Sequence, residues 1–179
     1  MADEIFRDQA APADATVNRM QPLGNPSTLD ARNGDLVLAE GGERIGAASR
    51  KDEFLASSHG RRAKVSVGNG PWCSYRFEAT AAGGERLIVL PQFYDQALVW
   101  LELAWPADRF PFKVVPWEEA SCLREKAACE AWLTRLLGKV PFEAGWGTAA
   151  AFYDSKGGSS FVRIQYDRDP GRFLPAAHL

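Results

Sequence analysis

Three residues have side chains suited to proton transfer. Glu102 is the one acidic residue in an otherwise apolar run, Asp95 precedes that run, and His59 is the one histidine outside the last two residues. A buried carboxyl group with a raised pKa can act as a general acid or base. Glu102 could instead face solvent or pair with an arginine such as Arg76 or Arg163. We therefore treat Glu102, Asp95 and His59 as catalytic candidates and leave the catalytic role open.

A cationic segment begins at His59. Arg61, Arg62 and Lys64 follow that histidine within five positions. Such a loop could bind a phosphate or an acidic partner, and we name these three cations as a candidate anion site. They could equally cap the carboxyl end of a short helix, where the helix dipole favours positive charge. The chain has neither a P-loop sequence nor a GxSxG motif, so neither P-loop nor serine-hydrolase chemistry is indicated.

The cysteines and histidines are too few and too dispersed to predict a metal site. On a helix, Cys122 and Cys129 would lie about 10 Å apart along the axis, which is too far for a disulfide or for one metal ion. The only histidines are His59 and His178, whereas a zinc site needs three or four clustered protein ligands. We expect no metal and no cofactor. Cys73, Cys122 and Cys129 are predicted to be buried as small apolar side chains.

The segment from Trp105 to Trp117 is the richest in aromatic residues and proline. Tryptophan, tyrosine and arginine are enriched at the energetic centres of protein interfaces, and loops carry functional residues more often than strands do. We therefore predict partner contacts from a set of five side chains in this segment: Trp105, Arg109, Phe110, Phe112 and Trp117. The alternative is that these rings close one end of the core while the prolines stiffen the connection.

The elements that must position these residues follow from hydrophobic periodicity and turn residues. The pattern predicts a hairpin, 36–40 with 43–47, around a glycine turn, and a short helix, 50–58, that starts at a capping box of Ser49 and Asp52. Strands are predicted at 63–67, at 72–80 with Cys73, Tyr75, Phe77 and Ala79 inward, at 86–90 ended by Pro91, at 97–105 and at 112–115. A last hairpin joins 147–153 to 160–166.

One long helix is predicted from Trp117 or Glu118 to Leu137, ending at Gly138. Residues spaced 100° apart place Cys122, Cys129, Leu133 and Leu136 on one stripe, with Leu123 and Leu137 beside it. Glycine after the last periodic residue is a frequent helix end.

Strands outnumber helices and most of the connections are hairpins, which produce antiparallel sheets. We therefore predict an α+β fold with a curved, mainly antiparallel sheet of six to eight strands, either open or barrel-like. One long helix in the C-terminal half and one short helix complete it. Residues 1–34 are predicted to be an irregular N-terminal arm and residues 35–179 a single α+β domain. No stretch resembles a known family motif.

Composition limits the function further. The chain has 179 residues and a net charge of −2, with 6 basic and 10 acidic side chains in residues 1–60. A dedicated nucleic-acid-binding domain is normally clearly basic, and no apolar run reaches the roughly 20 residues of a membrane helix. No secretory signal pattern is present, so we expect a cytoplasmic protein. Arginine outnumbers lysine 15 to 6, which indicates a GC-rich, bacterial genome.

Three hypotheses remain. The first is a non-enzymatic bacterial protein-binding module, such as an inhibitor, an immunity-type protein or an adaptor, whose partner is another protein rather than nucleic acid or a membrane. The second is a small enzyme or small-ligand-binding protein with a pocket in the curved sheet. The third is a structural component of a larger assembly that uses the N-terminal arm. A deep apolar pocket would favour the second hypothesis, and an exposed apolar patch would favour the first.

Overall fold

Two helices and nine strands form in the computed structural model, which describes residues 28–106 and 118–166. In chain order they are β1 (Leu36–Val37), β2 (Arg44–Ile45), α1 (Lys51–Ala56), β3 (Lys64–Asn69), β4 (Trp72–Thr80), β5 (Arg86–Tyr94), β6 (Ala97–Ala104), α2 (Glu119–Leu137), β7 (Phe142–Ala144), β8 (Gly147–Asp154) and β9 (Ser159–Tyr166). The predicted α+β class is therefore confirmed. The predicted strand 112–115 lies outside the described residues, as do residues 1–27 of the predicted arm.

The main sheet has seven antiparallel strands in the order β3-β4-β5-β6-β9-β8-β7, and β1 and β2 form a separate two-stranded sheet. Strands β3 to β6 are joined consecutively, whereas β9 pairs with β6 only after the chain has passed through α2, β7 and β8. Both ends of the order are edge strands, so the sheet is open and not a barrel.

Period-two alternation fixes the face of each strand residue. Phe77, Val89, Leu103 and Val162 are cross-strand partners in one row and all are buried. We call this buried side the inner face. Phe54 of α1 packs against it at ring-centroid distances of 5.6 Å from both Phe77 and Phe93. Strand β4 has the predicted bounds and the predicted inward-facing residues.

The predictions for Pro91 and for the capping box were wrong. Pro91 does not end a strand, because β5 continues to Tyr94 with Pro91 opposite Leu101. The proline φ angle suits extended backbone. The β4–β5 ladder is interrupted between the pairs Ser74–Gln92 and Phe77–Val89, the stretch that contains Pro91, where proline offers no N–H to the ladder. The capping box does not form either: α1 has Arg50 at its N-cap with no side-chain cap.

The long helix α2 ends as predicted at Gly138, which adopts φ 83°. The stripe is confirmed, with Cys122, Cys129 and Leu133 buried and Leu136 packed against the core. Leu123 departs from the prediction because it is 49% exposed. Its position is 100° from Cys122 around the helix, which turns it out of the contact with the sheet.

Residues 28–35 contact the core, the end of β9 and the β7–β8 connection. Leu29 is buried in the core. Trp146 Nε1 donates to Ala31 O at 2.9 Å, and the Tyr166 hydroxyl donates to Gly34 O at 3.1 Å. This turn is therefore held against β9 and the β7–β8 connection. No helix in the two described ranges is long and apolar enough to cross a membrane.

Candidate partner-binding site

The two helices both pack on the inner face, so the opposite side of the sheet is not covered by either of them. We call this side the outer face. Strand pairing aligns four of its residues in one cross-strand row: Ser74, Gln92, Trp100 and Gln165. The next row contains Glu102 opposite Arg163. Polar and aromatic side chains therefore share the outer face, whereas the inner-face row of Phe77, Val89, Leu103 and Val162 is entirely apolar.

Arg163 is the centre of this surface. Its Nη2 donates to Glu102 Oε1 at 2.7 Å. Its guanidinium carbon lies 5.3 Å from the ring centroid of Trp100, 5.2 Å from that of Phe152 and 5.4 Å from that of Phe161. These are distances at which a cation is attracted to an aromatic ring. We call these five residues the arginine cluster.

The local fold explains how the arginine cluster forms. Phe152 and Phe161 are direct cross-strand partners on β8 and β9, with ring centroids 5.9 Å apart. Arg163 follows Phe161 by two positions and so points to the same face. Phe152 remains 40% exposed. The cluster is therefore held by three adjacent strands and is still open to solvent on one side.

Two buried N–H donors of the arginine cluster have no hydrogen-bond acceptor among the described residues. Arg163 Nε and Trp100 Nε1 are buried and find no acceptor within ranges 28–106 and 118–166, and the same holds for Ser74 Oγ in the neighbouring row. A buried donor without an acceptor costs about 1–3 kcal/mol. A small rearrangement that offers these donors an acceptor would recover that energy.

A second aromatic group extends the surface toward the end of β4. The Trp72 ring meets Tyr94 edge-on at 5.1 Å and lies 5.4 Å from the Trp100 ring. Trp100 thus joins the arginine cluster to Trp72 and Tyr94. The result is a continuous band of aromatic rings across the outer face.

The three catalytic candidates are not brought together. Glu102 lies on the outer face in an ion pair with Arg163. Asp95 is exposed in the β5–β6 turn, where it adopts φ 51°. His59 is buried on the inner side with its ring 5.4 Å from that of Phe77.

His59 nevertheless has a cluster of its own that the sequence did not reveal. Its Nδ1 lies 2.6 Å from Glu43 Oε2 and 3.3 Å from Ser58 Oγ, and its Nε2 lies 3.4 Å from Glu40 Oε2. A serine nucleophile needs its histidine base to hold serine and acid on opposite ring nitrogens. Here Ser58 and Glu43 share Nδ1, and the ring is only 1% exposed, so the cluster fastens the β1–β2 turn to the segment after α1.

The candidate anion site is mostly occupied by internal contacts. The Arg61 guanidinium donates to the carbonyl of Ala56 at the end of α1, and Arg62 Nη2 pairs with Glu40 Oε2 at 2.7 Å. Lys64 is exposed at the start of β3. The structure therefore separates the three cations into a helix-end contact, an ion pair and an edge-strand residue.

Of the five predicted partner-contact residues, only Trp105 lies in the described part of the chain. It is buried, with its ring 5.1 Å from that of Trp132 in an edge-to-face contact. It is therefore a core residue. Arg109, Phe110, Phe112 and Trp117 lie outside the described residues.

One cleft of about 420 Å³ lies beside the free part of β4, where β3 no longer pairs with it. Glu40, Arg62, Glu78 and Arg86 contribute to its lining. Within the described ranges no group of three or more His, Cys, Asp or Glu side chains is placed to hold a metal ion. Cys122 and Cys129 are buried thiols, as predicted, and Cys73 is partly buried.

The sequence missed the role of Trp100, Phe152 and Phe161. Alternation alone placed Arg163 and Gln165 on the polar side of β9, and the same period places Phe161 there. Trp100 is two positions from Glu102 and so shares its face. An aromatic residue at a solvent-facing strand position was therefore the signal for this surface.

Comparison with known proteins gives one likeness in structure. No protein-family model matches the chain, and no curated protein matches it. A chain from the solved structure of Rhs1-CT in complex with its cognate immunity protein RhsI1 superposes with a TM-score of 0.53. The two chains are 17% identical, and the match covers 84% of this chain and 91% of that one. At this identity the likeness is one of fold.

Proposed function

We propose that this chain is a non-enzymatic protein-binding module of the immunity type, acting in the bacterial cytoplasm and binding another protein through the outer face. The observation that carries the proposal is the arginine cluster, in which a guanidinium is framed by three aromatic rings on a side of the sheet that neither helix covers.

The chemistry of that face supports protein recognition. Tryptophan and arginine are over-represented among residues whose loss costs a complex more than about 2 kcal/mol. Trp100 and Arg163 stand together here, and Phe152 is exposed beside them. Glu102 holds Arg163 in one orientation, which lowers the conformational entropy lost on binding. A carbonyl or carboxylate of the partner would accept hydrogen bonds from the N–H donors of Arg163 and Trp100.

The fold comparison supports the immunity-type assignment within this class. The superposed chain comes from a complex between an immunity protein and the Rhs1-CT that it recognises. A fold seen in such a complex is compatible with binding one cognate protein.

Capture of the partner tests the proposal. The tagged protein is used as bait in an extract of the native host, and bound proteins are identified by mass spectrometry. The site variant combines Arg163→Met with Phe152→Ser. The control is Leu123→Ser, which alters an exposed apolar residue on α2. Circular dichroism and urea denaturation establish that all three proteins are folded.

We expect one protein to be retained by the wild type and by Leu123→Ser but not by the site variant. That protein, purified and titrated by calorimetry, should bind the site variant at least about ten-fold more weakly. An immunity-type role further requires that coexpression of this chain relieve growth inhibition by the partner. Equal affinity of the site variant, or capture of nothing beyond the bait-free control, would contradict the proposal.

A further inference from the structure

Strand β3 is an unusually open edge of the main sheet. It is the first strand in the sheet order, and all six of its residues are exposed. Val65 is 67% exposed and Val67 is 53% exposed. The opposite edge strand, β7, has only three residues, and short edge strands resist pairing with another chain. Of the two edges, β3 is therefore the one with enough exposed backbone to pair with a further strand.

The two valines of β3 lie on opposite faces of the sheet. Val65 is the cross-strand partner of Tyr75, an inner-face residue, and Val67 is the partner of Ser74, an outer-face residue. A register shift between the two valines produces this arrangement. A strand added to β3 would therefore meet one valine on each face, in addition to the backbone N–H and C=O groups of the edge.

The open edge is also positively charged. Lys64 lies directly opposite Arg76 in the β3–β4 pairing. Like charges at directly opposed positions are mutually destabilising. Among the residues that the structure describes, no carboxylate lies within ion-pair distance of either side chain, whereas nearby Arg62 is paired with Glu40. The missing counter-charge is what an incoming segment would supply.

We propose that β3 receives an extended segment of the partner protein, which adds an eighth strand to the main sheet. The segment carries a carboxylate against Lys64 and Arg76 and apolar side chains against Val65 and Val67. Backbone hydrogen bonds along the edge supply affinity, and the alternate side-chain positions supply specificity. The identity of this partner rests on the proposed function, since the same protein would contact the outer face.

Repulsion between like charges argues against a second copy of this chain as the occupant of the β3 edge. Pairing of two β3 edges would bring two Lys64–Arg76 pairs onto one short ladder without any added carboxylate. The irregular backbone between Val65 and Val67 would also interrupt a ladder between two identical strands. An acidic, extended segment would supply a carboxylate to Lys64 and Arg76 and apolar contacts to the two valines.

Two synthetic hexapeptides with acetylated and amidated ends test the inference. The acidic probe is Glu-Thr-Val-Val-Thr-Glu and the basic probe is Lys-Thr-Val-Val-Thr-Lys, so that only the charge at the ends differs. Both sequences are palindromic, so parallel and antiparallel addition present the same groups. Binding is measured by fluorescence anisotropy, and the protected amides are located by hydrogen exchange. The edge variant is Val65→Glu with Val67→Glu, which removes the apolar contacts and repels an acidic segment, and Leu123→Glu is the matched control.

We expect the acidic probe to bind at least about ten-fold more tightly than the basic probe, with the difference shrinking as salt screens the charges. Amides of residues 64–69 should become protected. The edge variant should lose the protection, and Leu123→Glu should keep it. Equal binding of both probes, no binding, or protection elsewhere would overturn the inference. Protection of β3 that rises with protein concentration alone would assign the edge to a second copy and would overturn it too.

Failure here is distinguishable from failure of the proposed function. If the captured partner binds the edge variant as tightly as the wild type, the strand-addition inference fails while the outer-face proposal stands. If the acidic probe protects β3 but no partner depends on the arginine cluster, the outer-face proposal fails alone.

Discussion

Glu102 and Arg163 are direct cross-strand partners on β6 and β9, and Arg163 Nη2 donates to Glu102 Oε1 at 2.7 Å. The two residues are 61 positions apart in the chain. The pair thus depends on the register between two strands that α2, β7 and β8 separate in sequence. The candidate binding surface therefore forms only when the sheet is assembled with β6 and β9 in this register.

Removing the carboxylate of this pair should therefore destabilise the fold. Glu102→Ala leaves the half-buried Arg163 guanidinium without its acceptor, and we expect a loss of about 1–3 kcal/mol in the free energy of unfolding. Urea denaturation measures it. The control is Asp52→Ala, which removes the partner of Arg50 in an exposed pair and should cost less than about 1 kcal/mol. Equal losses for the two variants would contradict the structural role of Glu102.

Gly34 should tolerate no side chain. Its φ is +75°, and a Cβ built there would lie 2.6 Å from the Trp146 ring. Gly41 has a similar φ of +68° but nothing within 4 Å of the corresponding Cβ position. Gly41→Ala therefore carries only the backbone penalty of about 1–2 kcal/mol, whereas Gly34→Ala adds the steric clash. We expect Gly34→Ala to be the more destabilising by at least about 1 kcal/mol in urea denaturation. Equal destabilisation would show that the ring moves aside freely.

The part of the fold that could be predicted is the part that depends on local pattern. The bounds of β4 follow from strict alternation of apolar and polar residues, and the end of α2 follows from Gly138. Proline misled the prediction at Pro91, because it lacks a hydrogen-bond donor. In the structure β5 nevertheless continues through Pro91, with an interruption of the β4–β5 ladder at that point, which no local pattern encodes.

The candidate site depends on the register between strands, so only part of it could be predicted from the sequence. The sequence placed Arg163 on the polar face of its strand and offered it as one of two partners for Glu102. That Trp100 and Phe152 would frame the same guanidinium depends on which strands pair. Pairing of β9 with β6 is a property of the assembled sheet, and periodicity within each strand does not determine it.

Asp30 should make stability depend on acid pH. Hydrogen bonds from the side chain and backbone of Arg32 lower the pKa of Asp30 well below its ordinary value of 3.8; burial opposes them and a hydrogen bond from Arg44 adds to them. A carboxyl group whose pKa is lower in the folded state stabilises that state above its unfolded pKa, and the contribution disappears as pH falls through the folded pKa.

Asp30→Asn is therefore expected to lower stability at pH 7 and to have a smaller effect as pH falls below about 4. Urea midpoints measured at both ends of this pH range give the comparison. Asp95→Asn is the matched control, because Asp95 is exposed in a turn, makes no ion pair with the described residues, and asparagine also tolerates its positive φ. A difference between wild type and Asp30→Asn that stays constant with pH would contradict this role for Asp30.

Leu133 and Leu123 provide a direct test of how α2 faces the sheet. Both lie on the same helix and were both predicted near its buried stripe, but Leu133 is fully buried in the core and Leu123 is exposed. Leu133→Ala removes apolar contacts and leaves a cavity, so we expect a loss of about 2–5 kcal/mol. Leu123→Ala should change the unfolding free energy by less than about 0.5 kcal/mol, as is usual for surface positions. Comparable losses in urea denaturation would mean that α2 is rotated about its axis and that a different stripe covers the inner face.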